Sequence, residues 1–105
     1  MKTESAYQCV GEYVRIYLPS EVDENSCPQI SHIARECMKK QGVEQLVFDF
    51  SNTVFMDSAG IGMLLARYKE VSFEKGKIFL TGENERVSRI LKMSGIYTIM
   101  PHIHI

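Results

Sequence analysis

A serine at the predicted start of a helix is the residue of this sequence best placed to do chemistry. Ser58 lies in the run DSAGIG at residues 57–62, at a junction between strand, loop and helix patterns. The first turn of a helix presents unbonded backbone N–H groups and a positive dipole end, which together favour an anion. A phosphate on Ser58 would add about −1.5 to −2 charges beside Asp57. Phosphorylation would therefore change the surface while leaving the helix folded.

The same run also has a purely structural interpretation. Ser58 or Asp57 could serve as the helix N-cap, because short polar side chains accept hydrogen bonds from the free N–H groups of a first turn. Gly60 and Gly62 would then permit close packing of the helix and nothing more. Spacing alone favours this interpretation, and the local sequence does not decide between a cap and a phosphorylation site.

The other nucleophilic and metal-binding side chains are dispersed. None of the three cysteines stands in a Cys-x-x-Cys pair, and Cys37 continues the apolar stripe of a predicted helix. His102 and His104 alternate as strand neighbours on one side would, but no further ligand stands near them in the sequence, and His32 lacks a matching ligand one turn away. Residues 60–62 lack the Gly-Lys-Ser/Thr ending of a phosphate-binding Walker loop. We therefore predict no metal site, no cofactor and no catalytic residue.

Periodicity predicts an α/β fold around this junction. Residues 7–10 and 13–18 are typical of a β-hairpin, because apolar and polar side chains alternate along the second strand. A polar loop at 20–26 leads to a helix that begins near Pro28. Further strands are predicted at residues 46–50, 77–81 and 97–100, and further helices at 58–71 and 84–92. The order β-β-α-β-α-β-α-β predicts a mixed sheet covered by crossover helices.

Length and charge narrow the class of protein. A chain of 105 residues, 45% hydrophobic, can bury one core, which predicts a single domain over residues 1–105. Twelve Lys and Arg against 13 Asp and Glu, with no long basic run, disfavour a nucleic-acid partner. The apolar stretches fall far short of the roughly 20 residues that span a bilayer. Residues 1–5 lack the apolar run of a signal peptide, and the odd cysteine count fits a reducing cytoplasm.

A longer stretch around Ser58 resembles a known family. Residues 55–65 read FMDSAGIGMLL and are followed by RYK at 67–69. This segment closely resembles the phosphorylation site of bacterial anti-sigma factor antagonists, which are members of the STAS domain family. The resemblance extends to LVFDF at 46–50, similar to the family's central strand, and to RILKMSGIY at 89–97, similar to its third-helix segment. It covers nearly the whole chain and implies a STAS-type mixed β-sheet with helices packed against it.

The resemblance implies a regulator that switches partners. In this family the serine matching Ser58 is phosphorylated by the anti-sigma factor, itself a serine kinase, and a serine phosphatase reverses the reaction. Unphosphorylated antagonist binds the anti-sigma factor and frees a sigma factor, whereas phosphorylation releases the antagonist. The chain would then be a binding module rather than an enzyme. It would act on gene expression without touching nucleic acid or membrane.

A docking surface around Ser58 follows from the same resemblance. Where the family often carries Gly-Glu-x-Asp after the second strand, this chain has SEVD at residues 20–23 and keeps the acidic pair. The methionines near Ser58 are expected to be exposed, and the glycines to let the partner's nucleotide site approach the backbone. The residues expected to contact the partner are Glu21, Asp23, Asn25, Met56, Asp57, Ser58, Gly60, Gly62 and Met63.

Two other classes of function remain open from the sequence. A weak nucleotide-binding or phosphotransfer protein would use Asp57, Ser58 and the acidic loop around a nucleotide, and the purified chain would bind nucleotide alone. A scaffold subunit of a larger STAS assembly, such as a stress-signalling particle or a transporter-associated protein, would leave Ser58 unmodified. Stable self-assembly or co-purification with membranes would indicate that scaffold role.

Overall fold

A four-stranded mixed sheet with three helices forms the framework of the molecule. The computed structural model describes residues 6–40, 42–73 and 77–105. In chain order the elements are β1 (Tyr7–Val10), β2 (Tyr13–Tyr17), β3 (Glu21–Val22), α1 (Cys27–Met38), β4 (Gln45–Asp49), β5 (Phe55–Met56), α2 (Ser58–Phe73), β6 (Lys77–Thr81), α3 (Glu85–Met93) and a 3₁₀ turn (Ile96–Thr98).

The strands form two sheets of different size. The main sheet has the order β1-β2-β4-β6, and β3 pairs with β5 in a separate two-stranded sheet. β1 runs antiparallel to β2 through a turn in which Gly11 has a φ of 60°, a conformation that glycine adopts without strain. β2, β4 and β6 are parallel, with Leu46 opposite both Val14 and Ile78. Parallel strands place their carboxyl ends at one edge, where the segments leading to α2 and α3 begin.

Apolar side chains from all three helices share one core with the sheet. Ile30, Ala34 and Cys37 recur at helical spacing along α1, while Leu64 of α2 and Leu91 of α3 are fully buried. The last four residues of β4 are all buried, as expected for a central strand covered on both faces. Burying one such aliphatic side chain stabilises the fold by roughly 1.5–3 kcal/mol. The core therefore fixes the helices and the loops at their N-termini.

A partly buried ion pair joins β2 to the end of β4. Asp49 Oδ2 accepts a hydrogen bond from Arg15 Nε at 2.7 Å, and Oδ1 accepts one from the backbone N–H of Ser51 at 2.7 Å. Burial raises the pKa of Asp49, but the bonds from Ser51 and the charge of Arg15 outweigh it, so the pKa lies below its usual range. A Cβ at Gly82 would lie 2.8 Å from Asp49 Oδ1, so a larger residue would crowd this carboxylate.

The α/β fold predicted from the sequence is confirmed, with corrections in short segments. The predicted strand at 97–100 is wrong, because Gly95 has a φ of 79° and leads directly into the 3₁₀ turn. Beyond that turn, His102 forms a one-residue bridge with Leu80. The sequence does not predict β3 and β5, because a strand of two residues is too short to show the alternation of apolar and polar side chains. The prediction that the chain has no signal peptide concerns residues 1–5, which lie outside the described residues.

Candidate functional site

The start of α2 lies beside the acidic loop at residues 20–26. β3 and β5 run parallel, and the backbone N–H of Asp57 donates to the carbonyl of Val22 at 3.2 Å. This pairing brings Glu21, at the beginning of β3, next to the segment that leads into Ser58. Two parts of the chain that are distant in sequence therefore form one surface, while its role in docking a partner stays a prediction.

Asp57 caps α2. Its Oδ1 accepts a hydrogen bond from the backbone N–H of Ala59 at 2.9 Å, and its carbonyl accepts one from Gly60 at 3.0 Å. Because α2 begins at Ser58, the Ala59 N–H is one of the free donors of the first turn. The Ser58 side chain is exposed and forms no hydrogen bond within the described ranges. The cap and the exposed hydroxyl therefore belong to two adjacent residues.

Asp23 organises the acidic loop. Its Oδ1 accepts hydrogen bonds from the backbone N–H groups of Asn25 at 2.9 Å and Ser26 at 3.1 Å. The Ser26 hydroxyl donates to the carbonyl of Glu21 at 2.8 Å, and the loop borders an open cavity of about 360 Å³. Glu21 and Asn25 are exposed. Asp23 thus shapes the loop, while the docking role of all three residues stays a prediction.

Two carboxylates act on one buried thiol at this surface. Cys27 is the first residue of α1 and is buried. Burial raises the pKa of the Cys27 thiol, and the negative charges of Asp57 and Asp23 raise that pKa further. The negative charges of Asp57 and Asp23 therefore reach the N-terminus of α1. A phosphate on Ser58 would add to this negative field rather than neutralise it.

Three residues predicted to contact a partner lie inside the protein. Met56 is 1% exposed and Met63 is 5% exposed, so the prediction that these side chains are exposed is wrong. Met56 is the inward residue of β5, and Met63 belongs to the core-facing side of α2. A Cβ on Gly60 would lie 2.6 Å from Met56 Cγ and 3.0 Å from Val22 Cγ1. Gly60 is therefore buried and lets α2 approach β3 and β5, rather than admitting a partner.

An exposed apolar stripe flanks Ser58. Gly62 is exposed, and a Cβ there would meet no atom within 4 Å. Ser58, Gly62 and Leu65 lie along one face of α2, because residues three and four apart are neighbours on a helix. Leu65 is 38% exposed, and Val54 and Phe55, which precede the helix, are 59% and 41% exposed. None of these three apolar residues is among those predicted to contact a partner. The helical spacing of Leu65 from Ser58 is the feature of the sequence that indicates its place on the same face.

Ser58 presents an exposed hydroxyl at this surface. Within residues 6–40, 42–73 and 77–105, no side-chain base forms a hydrogen bond with it. Over the same ranges, no group of three His, Cys, Asp or Glu side chains converges as metal ligands would. Among the helices described, none is both long and apolar enough to cross a bilayer.

Known proteins share this arrangement of elements. A family model described as the STAS domain matches residues 6–104. The anti-sigma F factor antagonist of Paenibacillus polymyxa is 33% identical over 82% of this chain and 74% of its own length.

Solved structures extend the comparison. The anti-sigma factor antagonist SpoIIAA in its unphosphorylated form superposes with a TM-score of 0.77, at 27% identity, over 94% of this chain and 89% of that chain. The Bacillus cell fate determinant SpoIIAA in its phosphorylated form gives a TM-score of 0.70 at 25% identity, over 94% and 92% of the two chains. Family model, sequence relative and fold agree over most of the chain, and this protein belongs to the STAS domain family.

Proposed function

We propose that this chain is an anti-sigma factor antagonist whose binding to its partner is controlled by phosphorylation of Ser58. The observation that carries the proposal is the exposed Ser58 hydroxyl beside a separate helix cap, Asp57. The name of the P. polymyxa relative and the likeness to SpoIIAA in both unphosphorylated and phosphorylated forms support it. In this function the protein acts by binding, and the kinase performs the catalysis.

The unphosphorylated surface suits protein–protein contact. Leu65 and Phe55 offer exposed apolar area on either side of Ser58, and Glu21 and Asn25 provide a polar border. Interfaces commonly combine an apolar centre with a polar rim of this kind. We therefore assign the centre of the partner contact to the face of α2 that carries Ser58 and Leu65, with the acidic loop at its edge.

Phosphorylation would disrupt that contact without unfolding the helix. The backbone bonds of Asp57 do not use the Ser58 side chain, so the helix start would keep its cap. The phosphate would place about −1.5 to −2 charges at the centre of an otherwise apolar contact. Burying a charge without a partner is costly, and the neighbouring Asp57 and Asp23 cannot compensate it. Release of the partner would follow from this loss of binding free energy.

The implied partners are an anti-sigma factor with serine kinase activity and a serine phosphatase. Because Ser58 lacks a side-chain base among the described residues, the kinase would supply both the base and the nucleotide. The released sigma factor would then join RNA polymerase, so the effect on transcription would be indirect. This circuit operates in the cytoplasm and requires no direct contact of this chain with nucleic acid or membrane.

Phosphosite mapping tests the proposal. The purified chain, incubated with ATP and the candidate anti-sigma kinase of its host, should gain one phosphate on Ser58, measured by intact mass and peptide mass spectrometry. Ser58→Ala should gain none. Ser20→Ala is the matched control, because Ser20 is another exposed serine in the neighbouring loop, and this variant should be modified as the parent is. Phosphate that persists on Ser58→Ala, or is lost equally from Ser20→Ala, would contradict the proposal.

Binding measurements test the surface itself. The unphosphorylated chain should bind the kinase, and the phosphorylated chain should bind at least about 10-fold more weakly, a loss of roughly 1.4 kcal/mol. Leu65→Ala should weaken binding by a similar amount, because it removes apolar contact area. Met93→Ala is the matched control, since Met93 is 83% exposed on α3, and its truncation should leave affinity unchanged. Equal effects of the two truncations would exclude the α2 face as the docking surface.

A nucleotide-binding role has less support from the same geometry. The charges of Asp57 and Asp23 both act on Cys27 at this surface, and carboxylates repel nucleotide phosphates. We expect no measurable ATP or GTP binding by the chain alone in equilibrium dialysis. Tight nucleotide binding in the absence of a kinase would favour that alternative.

A further inference from the structure

The segment after the 3₁₀ turn holds two imidazole rings together beside β6. The ring centroids of His102 and His104 are 4.7 Å apart, with planes at 88°, and both residues are exposed. The backbone is fixed on both sides of His102, because Leu80 N–H donates to the Pro101 carbonyl at 3.0 Å and Ile103 N–H donates to the Leu80 carbonyl at 2.8 Å. Residues two apart in an extended segment point to one side. Both rings are therefore presented together from an anchored backbone.

A buried carboxylate orients the first of these rings. The Glu83 side chain is 2% exposed, and its Oε1 lies 2.8 Å from His102 Nδ1. Its Oε2 accepts a hydrogen bond from the Tyr97 hydroxyl at 2.7 Å. Burial raises the pKa of Tyr97 to about 12, so the phenol remains a donor. A carboxylate acceptor favours a proton on Nδ1, which leaves the Nε2 lone pair of neutral His102 available to a ligand.

We propose that His102 and His104 form a binding site for a divalent transition-metal ion that prefers imidazole nitrogen, such as Zn²⁺ or Ni²⁺. Metal-binding histidines almost always donate their second ring N–H to a carboxylate, carbonyl or water, which fixes the tautomer and the ring orientation. Glu83 is in that position toward His102. None of these residues belongs to the surface around Ser58, so the site goes beyond the proposed function.

The geometry and the space beside the rings suit a hydrated ion. Bonds of about 2.0–2.1 Å to a tetrahedral Zn²⁺ would hold the two nitrogens roughly 3.3 Å apart. The His104 ring, whose centroid lies 4.7 Å from that of His102, is exposed, and binding would require it to turn a nitrogen toward the same ion. An open cavity of about 510 Å³, bordered by Glu83, Tyr97 and His102, adjoins the site. Because no third protein ligand converges within the described ranges, water would complete the coordination.

Ni²⁺ alone, titrated into the full chain at neutral pH, is the probe. A Cys9→Ser background removes the exposed thiol as a competing ligand. Calorimetry should give one ion per chain, and paramagnetic broadening of backbone amide signals should centre on residues 102–104. His104→Ala should weaken binding at least about 10-fold. His32→Ala, which removes an exposed imidazole on α1, is the matched control and should bind as the parent does.

Glu83→Gln tests the orienting role with both histidines in place. We expect Ni²⁺ affinity to fall about 10- to 100-fold, and the ¹⁵N shifts of His102 to report a change of tautomer. Urea unfolding verifies that Glu83→Gln, which changes a buried side chain, is folded. His104→Ala changes an exposed side chain, so it tests metal binding without disturbing the core. Binding unaffected by His104→Ala, or weakened equally by His32→Ala, overturns the site. Unchanged affinity in folded Glu83→Gln overturns the role assigned to Glu83.

Discussion

Two aspartates at strand ends make the same local hydrogen bond in different surroundings. Asp49 ends β4 and accepts from the N–H of Ser51 at 2.7 Å, while Asp57 follows β5 and accepts from the N–H of Ala59 at 2.9 Å. Asp49 is 2% exposed and paired with Arg15, whereas Asp57 is half-buried and stands beside an exposed serine. The same turn chemistry therefore serves the core in one place and the candidate site in the other.

The neighbours of each carboxylate account for the difference. Arg15 supplies a cation to Asp49, so the two charges compensate each other in a buried setting. Near Asp57 the charges that act on Cys27, those of Asp57 and Asp23, are both negative. The Asp57 side chain caps α2 rather than forming an ion pair. We therefore expect substitutions at Asp49 to act on stability and, under the proposed function, changes at Ser58 to act on binding. Four predictions test this contrast, in order of decreasing effect.

Removing each carboxylate should separate the two roles most clearly. Asp49→Ala should lower the free energy of unfolding by about 3 kcal/mol, because it leaves Arg15 unpaired at a partly buried position. Asp57→Ala should lower it by about 1 kcal/mol, the usual cost of a lost N-cap. Urea unfolding followed by circular dichroism measures both values. Equal losses would mean that the two turns contribute alike and that the contrast is unfounded.

Two glycines of α2 offer a matched pair of substitutions. Gly60→Ala should destabilise the fold by about 1–2 kcal/mol, because its Cβ would overlap buried Met56 and crowd Val22. Gly62→Ala should stabilise it by up to about 1 kcal/mol, since alanine favours the helix and the space there is open. Thermal and urea unfolding of both variants provide the test. A stabilising Gly60→Ala would show that α2 does not approach β3 and β5 as closely as described.

The depressed pKa of Asp49 predicts a loss of stability in acid. The carboxylate contributes stability above its unfolded pKa of about 3.9, and that stability is lost as the pH falls through the lower pKa of the folded protein. One such proton changes the free energy of unfolding by at most about 1.4 kcal/mol per pH unit. Urea unfolding of the parent and Asp49→Asn between pH 6 and about 2.5 should show a constant difference in the free energy of unfolding above about pH 4 and a shrinking difference below it. Parallel curves would show that Asp49 titrates alike in both states.

Substitution of Ser58 should affect stability least. Ser58→Ala and Ser58→Asp should each change the free energy of unfolding by less than about 0.5 kcal/mol, because the exposed side chain makes no bond that holds the helix start. Urea unfolding and far-ultraviolet circular dichroism measure this. A loss above about 1 kcal/mol in Ser58→Ala would assign the cap to Ser58 instead of Asp57.

The long elements and the site junction follow from sequence periodicity, and the fold that they imply is confirmed. The helices α1 and α3 each carry an apolar face that repeats at helical spacing, which makes them recognisable in the sequence. The third helix, predicted over 84–92, spans Glu85–Met93, and Asn84 is its N-cap, whose side chain accepts from Val87 N–H at 2.8 Å. The placement of Asp57 and Ser58 at a helix start follows from the same reasoning.

The details that escape prediction depend on contacts between distant segments. Met56 is buried because β5 pairs with β3, and a two-residue strand shows no alternation that would reveal its inward side. Met63 is buried because of how α2 is oriented on the core, which its neighbours in the sequence do not reveal. Glu83 reaches His102 across 19 positions of the sequence, and spacing alone does not indicate such a pair. Tertiary contact, rather than local preference, decides these cases.

The pairing of the last segment with β6 also bears on association between copies of the chain. On the outer side of the sheet, the Leu80 N–H donates to the Pro101 carbonyl, and the Leu80 carbonyl accepts from the Ile103 N–H. Unpaired groups on an outer strand are templates for edge-to-edge aggregation, and covering such an edge is a common protection. The segment therefore covers the outer side of β6 at Leu80, and proline at 101 adds no donor of its own. Shortening the chain before residue 101 would uncover this edge and make the protein prone to self-association.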